Sequence, residues 1–271
     1  MDISMPEQPT FASFYDFYDG PEYRQEQLAM YRSLAAEAGR KILELACGTG
    51  IITIDLARAG LEVTGLDISP DMMAVARDKI AREDGDVRSR IRLVESDMKD
   101  FRLDQEFDAI FLPANSFGWL TALDDQRSCL KCIRDRLRPS GLLVIEERHC
   151  PPPVVMSMWH SRLAVKAQMA RVNPATGKHT TFNWVTTHID FATQTIHSRS
   201  SIDEVQADGA VKRYIRGDGE SRNHYFTRFE LQLLVEQAGF AITDLWGTHG
   251  RHPLGPNSYN MIFVARRTGG R

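Results

Sequence analysis

The chain has 271 residues, 42% hydrophobic and 25% charged, the balance of a soluble globular protein of one or two domains. Its 33 Lys and Arg against 36 Asp and Glu give a net charge of −3, which offers no basic excess to a nucleic acid. No stretch approaches ~20 uninterrupted apolar residues, and Met1 to Glu7 lack the basic and apolar regions of a signal peptide, so a cytoplasmic protein without membrane contact is expected.

Taken in order, Lys41 to Ala46 reads as a buried strand and residues 50–59 as a helix entered through a glycine turn. Leu61 to Leu66 is a second strand. A helix follows from Pro70 to about Arg82, with Ser69 as its N-cap and Pro70 in its first position. Strands Ile91 to Glu95 and Phe107 to Leu112, a helix from about Leu123 to Leu137 and a strand Leu142 to Glu146 complete an alternation that predicts a parallel sheet covered on both faces. After Pro151-Pro152-Pro153 the pattern changes to a helix over about 154–169 and three β-like runs, Thr181–Phe191, Thr195–Val205 and Ala210–Ile215. A helix from Thr227 to about Gln237 and strands Ala241–Trp246 and Tyr259–Ala265 resume the α/β character. The expected fold is therefore α/β, a doubly wound, mostly parallel seven-stranded sheet with an inserted antiparallel meander. The predicted domains are 1–150 with 224–271, and an insertion over 151–223.

The cysteines Cys47, Cys129, Cys132 and Cys150 make no disulfide framework. Cys129 and Cys132 lie in an apolar-periodic helix without a second ligand pair, so they read as small core residues, and no metal is expected.

Leu43-Glu44-Leu45-Ala46-Cys47-Gly48-Thr49-Gly50 leads from strand to helix through a Gly-x-Gly turn, whose glycines admit a ligand close to the backbone and to free helix N–H groups. Asp67 ends the second strand, where a carboxylate can accept both ribose hydroxyls of an adenosine. A dinucleotide fingerprint needs a third glycine, and here the turn continues Gly50-Ile51-Ile52-Thr53. Glu44 suits a cationic ligand carrying an amino group and repels a pyrophosphate.

These residues resemble the class I S-adenosylmethionine-dependent methyltransferases. The likeness extends to Gly65-Leu66-Asp67-Ile68-Ser69-Pro70-Asp71-Met72, Glu95-Ser96-Asp97-Met98, Phe107-Asp108-Ala109-Ile110-Phe111-Leu112 and Leu137-Arg138-Pro139-Ser140-Gly141. The last stands where the family usually has a Pro-Gly-Gly type turn. The resemblance implies S-adenosylmethionine as cofactor. Glu44, Ala46 and Gly48 would then border its methionine part, Gly50 would be a further cofactor-binding residue, and Asp67 would hold the ribose. Ile68 and Met72 would pack on the adenine, Asp97 would face its amino group beside Met98, and Leu112 would line the methionine side. The aromatic segment Phe14-Tyr15-Asp16-Phe17-Tyr18 and the residues after it are similar to those of antibiotic amino-sugar N-methyltransferases. By that similarity an N-terminal helix covers the cofactor, Tyr15 and Tyr23 touch it, and Arg24 pairs with its carboxylate.

Methyl transfer from a sulfonium is an in-line displacement with a neutral leaving group, so catalysis rests on placing the acceptor ~3 Å from the methyl carbon. A base is needed only where the acceptor loses a proton. Leu112-Pro113-Ala114-Asn115 is not the Asn/Asp-Pro-Pro-Tyr motif of enzymes that methylate nucleobase or glutamine amino groups. Trp119 occupies the position where the amino-sugar enzymes carry a histidine base, so their catalytic role is not transferred. His149, after the fifth strand, is the first candidate base, followed by His224 and His249; Asn115, Trp119 and Trp159 are candidate substrate contacts. The expected function is methyl transfer to an N or O atom of a small molecule in specialised metabolism, by a monomer or homodimer. The alternatives are a methyltransferase acting on RNA or protein and, from another class, a NAD-binding oxidoreductase or a non-catalytic binder of adenosyl ligands.

Overall fold

The computed structural model describes residues 10–17, 21–161, 167–173, 176–216 and 219–268. The chain divides into two compact units, Glu22–Pro151 with Tyr225–Arg271 and Met1–Pro21 with Pro152–His224. The larger unit opens with α1 (Pro21–Ala38), β1 (Lys41–Leu45), α2 (Ile51–Arg58), β2 (Glu62–Asp67), α3 (Pro70–Ala81), α4 (Gly85–Ser89) and β3 (Ile91–Glu95). It continues through β4 (Phe107–Leu112), a 3-10 turn at Phe117–Trp119, α5 (Leu123–Arg136) and β5 (Leu137–Arg148). The smaller unit holds a 3-10 turn at Phe11–Phe17, α6 (Pro152–His160), β6 (Ala167–Val172), β7 (His179–Asp190), β8 (Thr195–Val205), β9 (Val211–Ile215) and β10 (Ser221–His224). The larger unit then closes with α7 (Arg228–Gln237), β11 (Phe240–Trp246) and β12 (Asn260–Arg267).

The larger unit is built on one seven-stranded sheet, in the order β11-β12-β5-β4-β1-β2-β3. Only β12 runs antiparallel, to β5 on one side and β11 on the other. β1, β4 and β5 are largely buried on both faces and are mostly apolar in sequence, broken by carboxylates at Glu44, Asp108, Glu146 and Glu147. Side chains alternating along them feed two cores. One gathers Leu45, Leu112, Ile145 and Phe263 under α5 and α7, and Cys129 is fully buried within it. The other gathers Ile42, Phe111 and Val144 under Tyr31 and Leu34 of α1 and Leu56 of α2. Ser69 caps α3, its side chain accepting from the Met72 N–H, with Pro70 in the first turn.

Four differences from the sequence reading stand out. β5 begins at Leu137 rather than Leu142, because Arg138 to Gly141 form a bulge inside the strand. Ser140 there takes φ 59°, and a Cβ on Gly141 would lie 2.7 Å from the Leu137 side chain. The predicted helix over 154–169 ends at His160, and Met169 lies in β6. The helix-favouring residues Ala, Gln, Met and Arg of β6 are overridden by pairing with β7. The meander gains a further strand in β10, which shares the edge of β8 with β9: Ser221 pairs Ser198 while Val211 pairs Val205. The Phe11–Phe17 turn, assigned from sequence to the cofactor domain, groups instead with the smaller unit, where Phe14 lies 4.7 Å from the Tyr214 ring.

No helix among the described residues is long and apolar enough to cross a membrane.

Candidate functional site

The carboxyl ends of β1, β2, β3 and β4 converge at one end of the large sheet, where ligands bind in folds of this kind. After β1 the backbone turns left-handed three times within five residues, at Ala46 (φ 54°), Gly48 (φ 56°) and Gly50 (φ 77°). Two backbone hydrogen bonds brace this turn, from Cys47 N–H to the Leu66 carbonyl and from Gly50 N–H to the Cys47 carbonyl, both 2.9 Å. The two glycines differ in their surroundings. A Cβ on Gly50 would meet Ala76 at 3.4 Å and Ile54 at 3.6 Å, whereas a Cβ on Gly48 would meet nothing within 4 Å. Gly48 therefore borders open space at the start of α2, whose N-cap, Gly50, makes no side-chain capping bond.

Asp67 closes this turn from the neighbouring strand. Its Oδ2 accepts the Gly48 N–H and its Oδ1 accepts the Ser69 N–H, both at 2.8 Å, which fixes the carboxylate between two loops. Beside it Ile68 is 63% exposed, an apolar side chain left on the surface, while Met72 and Met98 are buried. Asp97 Oδ1 accepts the Lys99 N–H at 3.0 Å, forming an Asx turn, and Lys99 Nζ lies 3.8 Å from Asp97 Oδ2. Leu112 is fully buried. Glu44 points from β1 to α2 and accepts a hydrogen bond from Thr53 Oγ1. Burial pushes its carboxyl up to about 8, with the Asp67 charge adding to the shift and the Thr53 hydrogen bonds opposing it.

The sequence reading missed a second acidic centre. Glu146 of β5 is buried and accepts from three side chains of α1: Tyr31 Oη at 2.9 Å, Gln27 Nε2 at 3.2 Å and Tyr23 Oη at 3.4 Å. His249, from the loop after β11, lies 2.8 Å away through Nε2. Arg24 Nη1 donates to Gln27 Oε1 at 3.2 Å. The signal that could have found this centre is a row of hydrogen-bonding side chains at four-residue spacing (23, 27, 31) on a helix face that also carries Met30 and Leu34.

Past β4 the chain turns through Ala114 (φ 55°) and Asn115 (φ 64°). Asn115 is stitched to β5, donating its N–H to the Glu146 carbonyl at 2.9 Å and accepting the Arg148 N–H at 2.8 Å. The following 3-10 turn is held by Phe117, stacked on Phe226 at 5.2 Å, and by Glu147, which accepts the Gly118 N–H at 3.0 Å. Trp119 projects from this turn and is 38% exposed. His149 Nδ1 lies 3.2 Å from the Ser258 carbonyl. A carbonyl only accepts, so Nδ1 carries the proton and the neutral ring keeps its lone pair on Nε2.

The remaining candidates fall in the smaller unit. Trp159 packs against Phe191 at 5.3 Å and His188 at 6.3 Å, the role of a side chain that seats α6 on β7. Tyr15 is half-buried in the Phe11–Phe17 turn, and His224 Nδ1 lies 3.1 Å from the Thr193 carbonyl.

Residues 42–141 match a family described as a methyltransferase domain. The putative methyltransferase YqeM of Bacillus subtilis is 33% identical over 137 residues, 50% of this chain and 53% of that protein. The cypemycin N-terminal methyltransferase of a Streptomyces is 27% identical over 229 residues, 84% of each chain. The chain spans about half the length of the first curated relatives it matches, 53% and 48%. Among solved structures, the sugar N-methyltransferase KedS8 from Streptoalloteichus superposes with a TM-score of 0.69 at 18% identity, covering 98% of this chain and 96% of that one, a likeness of fold. Residues 42–141 thus carry a methyltransferase domain, and in its motifs and fold the chain resembles the class I S-adenosylmethionine-dependent methyltransferases.

Proposed function

We propose that the protein transfers a methyl group from S-adenosylmethionine to an N or O atom of a small molecule. The observation that carries this reading is the cradle at Gly48, a left-handed glycine bordering open space and tied to the Asp67 carboxylate. The residues present fit the cofactor. Gly48 and the uncapped start of α2 leave room and N–H groups, Asp67 offers an acceptor for ribose hydroxyls, and the exposed Ile68 with Met72 and Met98 offers an apolar surface to adenine. Asp97 would accept from the adenine amino group, and Glu44 would gain a cationic partner for its buried carboxyl. When bound, S-adenosylmethionine supplies an electrophilic methyl on a sulfonium. Tyr23, Arg24, Ala46, Gly50 and Leu112 complete the proposed cofactor contacts.

The protein's own contribution is placement and, for an acceptor that carries a proton, its removal. Asn115, tied to β5 just past the end of β4, and Trp119, on the 3-10 turn that follows, would orient the acceptor, and Nε2 of His149 has the lone pair a base requires. A nitrogen acceptor is favoured by the likeness to proteins named as a sugar N-methyltransferase and a cypemycin N-terminal methyltransferase. A peptide amino terminus is the second reading, because that relative matches over 84% of both chains. The test is incubation with trideuteromethyl-labelled S-adenosylmethionine and a panel of amino sugars, aromatic amines, phenols and short peptides, read by mass spectrometry. Label in a small amine or phenol supports the proposal. Label confined to peptides selects the second reading, and a protein that binds NAD but transfers no label contradicts both.

A further inference from the structure

Glu146 lies two strands from Glu44 on the same face of the sheet and has no part in the function proposed above. It is a carboxylate at 2% exposure that receives Tyr31, Gln27, Tyr23 and His249. Burial by itself would raise its carboxyl, but the hydrogen bond and charge of His249, with the Tyr31 and Gln27 hydrogen bonds, hold it below the ordinary carboxylate range. The cluster continues outward: Asn260 Nδ2 lies 3.5 Å from His249 Nε2, and the Tyr23 ring meets the His249 ring edge-on at 4.8 Å.

A buried charge of this kind adds little to stability beyond what apolar packing would supply, whereas saturated bonding specifies geometry. The geometry specified here belongs to the first turns of α1. The Tyr23 hydroxyl sits on Oε1 directly. Gln27, only 1% exposed, has its amide fixed by Glu146 through Nε2 and presents Oε1 to Arg24. Tyr31 holds the other carboxylate oxygen, so the carboxylate cannot turn away from Gln27 without losing it.

We propose that Glu146 is a positioning residue for cofactor binding, orienting Tyr23 directly and Arg24 through the Gln27 amide. The inference rests on the reading of Tyr23 and Arg24 as contacts of the adenosyl ligand. It predicts that Gln27 acts on the ligand only through Arg24, which a role confined to packing would not produce.

The experiment is calorimetric titration with S-adenosylhomocysteine of the full chain as wild type, Gln27→Met, Arg24→Met and the double variant, with Glu146→Gln as a fifth protein. Circular dichroism confirms that each is folded. Gln27→Met keeps the length and burial of the side chain and leaves Glu146 its other donors, so it stands even if Glu146→Gln fails to fold. Gln27→Met and Arg24→Met should each weaken binding about tenfold, the size of one charge-assisted hydrogen bond, and the double variant should be no weaker than Arg24→Met. Wild-type affinity in Gln27→Met, or losses that multiply in the double variant, would overturn the positioning role while leaving the cofactor reading intact. A wild type that does not bind S-adenosylhomocysteine would overturn the cofactor reading and the inference with it.

Discussion

Gly48 and Gly50 adopt the same left-handed backbone for different reasons, and substitution separates them. A side chain at Gly50 is strained and must also fit 3.4 Å from Ala76, so Gly50→Ala should lower stability by about 1–2 kcal/mol in thermal or denaturant unfolding. A side chain at Gly48 pays the same backbone strain but meets no protein atom within 4 Å. Gly48→Ala should therefore unfold much like Gly50→Ala and lose affinity for S-adenosylhomocysteine by more than tenfold, because the methyl enters the ligand's space. Equal affinity in Gly48→Ala and wild type would remove the ligand from that space. His149→Asn belongs to the same scale. If Nε2 takes a proton from the acceptor, turnover should fall by about 10²-fold or more with cofactor affinity unchanged, measured with the first acceptor found. At this scale the Gly-x-Gly turn and Asp67 were legible because they follow one another closely along the chain. Glu146 was not, because its partners lie 103 to 123 positions away and only the folded sheet joins them.

Among the elements, β3 and β4 match their predicted limits and β1, β2, β11 and β12 shift by a residue or two. These strands are bounded by turns and carry short apolar runs broken by few polar residues, a pattern that permits few alternatives. The smaller unit was harder to read because its β6 and β10 carry no apolar alternation and exist through pairing with β7 and β8. Capping was legible at α3 and proves stronger at α7. There the Thr227 side chain accepts from Glu230 N–H at 3.4 Å, and the Glu230 carboxylate accepts from Thr227 N–H at 3.1 Å. Thr227→Ala should cost about 1 kcal/mol and speed hydrogen exchange selectively in the first turn of α7. Unchanged exchange there would deny the box its stabilising role.

At the scale of the whole molecule, two buried carboxyls set the pH response. Burial pushes both Glu44 and Glu147 up to about 8; for Glu147 the Gly118 and Phe117 N–H groups and the Arg148 charge oppose the shift, and Glu146 adds to it. In the unfolded chain each returns to about 4.5. Between these values the native protein binds more protons than the unfolded one, so stability falls as pH rises from about 4.5 to about 8 and levels off above. Glu146 acts in the opposite sense. Its lowered value makes stability fall as the solution is acidified through it, so the optimum lies on the mildly acidic side. Melting temperature followed from pH 5 to 9 should drop by several degrees, at roughly 2–4 °C per kcal/mol for a chain of this size. Glu147→Gln should flatten part of that slope, and an unchanged slope in the variant would show that Glu147 does not titrate in this range.

Calorimetric titration of wild type and Asp67→Ala with S-adenosylhomocysteine and with NAD asks whether the turn after β1 and the carboxylate after β2 together hold an adenosyl ligand. Wild type should bind S-adenosylhomocysteine and not NAD, and folded Asp67→Ala should bind at least tenfold more weakly, since the variant loses both the ribose acceptor and the tie to Gly48. Binding of NAD alone, or of S-adenosylhomocysteine with equal affinity in both proteins, would contradict that reading.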